Sequence, residues 1–84
     1  MTDHEINTYI SDIEGRCSTP DYCSDWGEIG KIIEREGIDL TKFQLGWEAS
    51  ILLDDESDNS INVMADTPTK AAALCYLSIK GVEV

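Results

Sequence analysis

Apolar residues recur along this chain at two different spacings, and the change of spacing divides it into elements. Ile6, Tyr9, Ile10 and Ile13 fall on one stripe of a helix, and Gly15 marks its end. Ahead of them, Thr2 and Glu5 have the spacing of a capping box, in which hydroxyl and carboxylate satisfy the free N–H groups of the first turn. Residues 15–23 read as a loop, with turn chemistry at Ser18-Thr19-Pro20-Asp21. A second helix is predicted from an N-cap at Ser24, with Trp26, Ile29, Ile32 and Ile33 as its apolar face and Gly37 as its stop. Gly27 and Gly30 weaken that helix, and the reading gives them a use in close packing against a sheet.

The period then shortens to two. Lys42 to Leu45 reads as a short strand, Trp47 to Leu53 as a longer one, and Ile61 to Ala65 returns after the polar stretch 54–60. The last element is helical again. Thr67 is the predicted N-cap and Pro68 the first helical residue, followed by an almost wholly apolar run from Ala71 to Ile79 that belongs in the interior. The order helix, helix, two or three strands, helix predicts one α+β domain over residues 1–84: a small antiparallel sheet covered by about three helices.

Charge changes the picture more than size does. Seventeen acids oppose six bases in 84 residues, a net charge of −11. Such a surface repels phosphate, which argues against nucleic acid and anionic membrane as direct partners and favours basic proteins. The acids are bunched. Asp3, Glu5, Asp12, Glu14, Asp21, Asp25 and Glu28 stand in the first 28 residues against Arg16 alone, and Asp54, Asp55, Glu56 and Asp58 crowd the turn between the last two strands. Should the first helix and that turn meet, the carboxylates form one negative face fit for a groove built for phosphate; the plainer reading is a solubilising surface. Tyr22, in the loop before the second helix, is the aromatic residue expected to be exposed and so to anchor a partner; the plainer reading is a loop tyrosine packed on the domain.

Reaction chemistry finds little footing. Cys17, Cys23, Cys75 and His4 include no short ligand spacing for zinc, and residues 54–65 lack the glycine and final glutamate of a calcium loop. No nucleophile elbow, phosphate loop or dinucleotide glycine pattern occurs. A non-enzymatic protein without metal or cofactor is expected. The acidic N-terminus lacks the features of a signal peptide, no stretch approaches a membrane span, and three unpaired cysteines suit a reducing compartment, so a cytoplasmic protein is expected.

Several of these pieces resemble a phage family. Thr2-Asp3-His4-Glu5-Ile6-Asn7 resembles the opening of NinX-type proteins. Asp21 to Trp26 followed by Ile32-Ile33 resembles the loop-into-helix signature of the wider phage ABA sandwich domain, and Trp47-Glu48-Ala49 with Asp66-Thr67-Pro68 and Ala71 to Leu74 resembles its strand and closing helix. The resemblance implies a phage or prophage accessory protein with an α-β-α layered fold, and it brings no catalytic residues. With the charge, it leads to an expected binder of a bacterial protein with a basic surface. The sharp form is an anti-CRISPR or anti-restriction type inhibitor that mimics DNA charge; the alternative is a structural homodimer joined through the sheet.

Overall fold

The computed structural model describes residues 2–52 and 60–82. Helix α1 spans Asp3–Glu14, α2 Trp26–Glu36 and α3 Pro68–Ile79; strands β1, β2 and β3 span Asp39–Phe43, Gly46–Leu52 and Ser60–Ala65. The element order and the α+β class are those read from the sequence. The caps follow local chemistry: Thr2 Oγ1 accepts from the Glu5 N–H at 3.2 Å, and Thr67 does the same for Lys70. Gly15 and Gly37 close α1 and α2 with φ of 68° and 74°, the left-handed geometry that glycine adopts without strain. The N-cap of α2 is Asp25 rather than Ser24, its carboxylate accepting from the Gly27 N–H at 2.8 Å.

The three strands form an antiparallel meander, β1-β2-β3. Phe43 pairs with Gly46, so Gln44 and Leu45 alone make the first turn. Neither has positive φ, and neither is a residue type that announces a tight hairpin, so β1 spans Asp39–Phe43 rather than the expected Lys42 to Leu45. Gly46 is needed at its position: a Cβ there would stand 2.6 Å from the Ala65 carbonyl oxygen, where β3 closes on β2.

The layering departs from the expected α-β-α arrangement. Helix α3 packs on β2 and β3 with one side and on α1 and α2 with the other, so it is the middle layer between the sheet and the other two helices. Its Ala71, Ala72, Ala73, Cys75, Tyr76 and Leu77 are all buried as a result. The small alanines let neighbours approach from both sides. Leu40, Trp47, Ile51, Ile61 and Val63 pack against the core from the sheet's inner face, around the fully buried Ala49. Residues of the opposite phase, Thr41, Phe43, Glu48, Ser50, Asn62 and Met64, form an outer face that no described element covers.

Two expectations about α2 are corrected here. Trp26 is 54% exposed rather than buried, because it opens the helix one turn ahead of the Ile29 and Ile32 stripe that meets α3. Periodicity gives the phase of a stripe, not how far along it the neighbour reaches. The two glycines serve no sheet contact either, since α2 packs on α3. A Cβ at Gly30 would meet nothing within 4 Å, so Gly30→Ala is expected to raise stability by up to about 1 kcal/mol, read by urea unfolding.

Candidate protein-binding surfaces

The loop between α1 and α2 is drawn inward by three buried polar side chains. Asn7 donates to the Asp21 carboxylate at 3.1 Å and accepts from the Cys23 N–H at 3.2 Å, Ser11 donates to the Ser18 carbonyl, and Thr69 donates to the Cys23 carbonyl. These ties satisfy loop backbone that would otherwise be costly to bury. They also carry Tyr22 into the core, where it is 1% exposed. The expected partner-anchoring role of Tyr22 is thereby corrected: its ring has no outward surface to offer. Its hydroxyl is buried without a hydrogen-bond partner among the described residues, and burial pushes the phenol pKa up against the pull of the nearby Arg16 guanidinium.

Of the acids singled out in the sequence, the structure gives several an internal task. Asp3 pairs with Lys70 at 3.1 Å, Asp21 holds Asn7, and Asp25 caps α2. Glu28, from the same acidic run, pairs with Arg16 at 2.7 Å. Glu14 sits where three helices meet: its carboxylate takes both Arg35 Nη atoms, at 2.9 and 3.1 Å, and the Tyr76 hydroxyl at 2.7 Å. The Arg35 hydrogen bond holds the Glu14 pKa below its ordinary value, against the opposing effect of burial and with help from Tyr76. Burial and the same hydrogen bond push the Tyr76 phenol up to about 12.

Glu5 and Asp12 remain turned outward. Glu5 keeps only the Thr2 hydroxyl, and with His4, Thr8 and the half-exposed Tyr9 the two acids line a groove of about 290 Å³ along α1. The turn acids Asp54, Asp55, Glu56 and Asp58 lie outside the described residues. On the sheet, Glu48 stands on the outer face, with α3 between it and α1. The outward acids Glu5, Asp12 and Glu48 thus leave negative charge at the surface, while the single face expected where α1 meets the turn rests on acids outside the described residues.

The bases reinforce this. Arg16, Arg35, Lys70 and Lys80 all lie within ion-pair distance of an acid, at 2.7, 2.9, 3.1 and 3.6 Å. Lys42 Nζ lies 5.9 Å from the centre of the Trp47 ring. Most of the positive charge is thus spent inside the chain.

A second surface went unread in the sequence. At the turn end of the sheet, Phe43 is 46%, Leu45 92% and Met64 51% exposed. Residues 42–47 and Asp66 border a shallow depression of about 300 Å³ there. The available signal was Met64 itself, an apolar residue in the solvent phase of β3 between Val63 and Ala65.

Chemistry is less well provided for. Among the described residues, no three His, Cys, Asp or Glu side chains converge as metal ligands. Burial pushes the Cys23 and Cys75 thiols up to about 11, so at neutral pH both are thiols rather than reactive thiolates. No described helix is long and apolar enough to cross a membrane.

A family model described as Bacteriophage P22, NinX matches residues 15–80, more than three quarters of the chain. The chain belongs to this phage family. The matched span takes in α2, the whole described sheet and all of α3, and begins just after α1. The likeness of Thr2 to Asn7 to the family's opening therefore lies outside it. No curated protein and no solved structure matches the chain.

Proposed function

We propose that the chain is a phage accessory protein that works by binding a basic bacterial protein, with no catalysis of its own. In its sharper form the partner is a nucleic-acid-handling or defence protein, and carboxylates of the chain stand where phosphates would. One observation carries this reading: a net charge of −11 in a molecule whose bases are mostly tied to its own acids, leaving Glu5 and Asp12 outward on α1. Surplus charge presented outward speeds encounter with a basic partner and excludes acidic ones.

The α1 groove suits contact as well as steering, because Tyr9 and Ile13 are 45% and 38% exposed beside the two acids. Glu5 and Asp12 lie before the span matched to the family. The test is capture of host proteins on immobilised chain at 50 and 300 mM salt. A partner bound by charge mimicry is expected to weaken at least tenfold across that range, and further with Glu5→Gln and Asp12→Asn together. Retention independent of salt would discard mimicry.

A further inference from the structure

We propose that the turn end of the uncovered sheet face is a docking surface for a protein segment that is apolar at its centre and basic at its rim. The proposal rests on the reading that the chain binds a basic protein, and it assigns where such a partner makes its apolar contact.

The apolar part is built by register. Phe43 pairs with Gly46 on β2, and Met64 pairs with Glu48, so the two apolar side chains stand on the same face in adjacent rows. Gly46, between them, carries no side chain, and the Ala65 carbonyl lies close to where a Cβ would stand. Leu45 projects at the tip, 92% exposed. Next along this phase of the strands stand the polar Thr41, Ser50 and Asn62. Three large apolar side chains gathered at one end of the face make a patch of the kind that marks an interface.

Charge selects the occupant. Glu48 stands on this face beside Met64, Asp66 borders the depression, and Asp39 lies further along β1. Among the described residues Lys42 also borders the depression, but it belongs to the opposite phase of β1 and its ammonium lies 5.9 Å from the centre of the Trp47 ring. These carboxylates repel nucleic-acid phosphate and anionic lipid. A second copy of the chain would oppose Glu48 and Asp66 to their own like in a self-complementary contact. What remains is a protein segment bringing Lys or Arg around an apolar centre. The surface also falls within the span matched to the family, unlike the α1 acids.

Three twelve-residue peptides serve as probes: alternating leucine and lysine, alternating leucine and glutamate, and lysine with serine. Each is titrated into isotope-labelled chain, and amide shifts are followed. The leucine–lysine peptide is expected to move Phe43 to Trp47 and Met64, and to bind at least tenfold tighter than the other two. Its affinity is expected to fall at least tenfold with Phe43→Ser, Leu45→Ser and Met64→Ser together, and severalfold with Leu45→Ser alone. Circular dichroism checks that both variants keep the fold. Binding unchanged in both variants but lost with Glu5→Gln and Asp12→Asn would overturn this proposal and leave the basic-partner reading standing. No binding of either lysine peptide would overturn both. A dimer in sedimentation that dissociates in the triple variant would also overturn it, by showing the occupant to be a second copy.

Discussion

Leu77→Ala lowers the unfolding free energy by about 3 kcal/mol, within the range of 2–5 kcal/mol for truncating a buried leucine. Leu77 is fully buried on α3, the helix that carries the sheet on one side and α1 and α2 on the other. A cavity in that middle layer loosens the only body shared by both halves of the core. A domain of 84 residues is expected to have about 4–12 kcal/mol of stability in total, so the loss is a large part of it. Urea unfolding followed by circular dichroism reads the effect, and Leu45→Ala provides the contrast. Leu45 is 92% exposed, and its truncation is expected to stay within about 0.5 kcal/mol. Equal losses at the two positions would contradict the layer order described here.

Glu14→Gln is expected to cost about 1–2 kcal/mol at pH 7, as a charge-assisted hydrogen-bonded contact between three helices is reduced to a neutral one. The side chain of Arg35 is 52% exposed, so solvent screens the ion pair and holds the loss below that of a fully buried pair. The pH dependence identifies the contact. The folded chain lowers the Glu14 pKa from its ordinary 4.5, so the stabilisation is fully present above that value. It fades as pH falls through the lowered folded pKa, because the proton then binds folded and unfolded chains alike. Stability curves of the parent and the Gln variant should therefore lie apart at neutral pH and converge as pH falls below 4.5 and through the lowered folded pKa. Curves that stay parallel down to pH 2 would show that the carboxylate charge is not what ties the helices.

The result for Glu14 bears on function. Its place in the sequence, among seven acids opposed by one base, made it a candidate for partner binding. Its place in the structure, under Arg35 and Tyr76, makes it a tie between α1, α2 and α3. Asp3 and Glu28 follow the same course with Lys70 and Arg16. These bases are far from their acids along the chain, up to 67 positions in the case of Asp3 and Lys70, so no local pattern could have paired them.

Local features were legible because their causes are local. Thr2 with Glu5, Thr67 with Pro68, and the glycines after α1 and α2 each act within a few residues, and the structure has them in the roles expected. The apolar run in α3 announced a buried helix, and the two-residue period announced strands. The Gln44-Leu45 turn was not legible, since its residues carry no turn signature. Tyr22 was misjudged for a different reason. A loop is usually outside, but here Asn7, Ser11 and Thr69 satisfy its backbone from α1 and α3, and that pulls it in.

By itself, then, the sequence determined the elements, their order, the α+β class and the excess of negative charge, all of which depend on composition or on neighbours within a turn or two. Only the tertiary structure decided that α3 is the middle layer, that the sheet keeps an uncovered face ending in Phe43, Leu45 and Met64, and which acids stay free to face outward. Those outcomes depend on which distant segments meet when the core closes: burial and ion pairing are properties of the closed packing, and no short window of residues contains them.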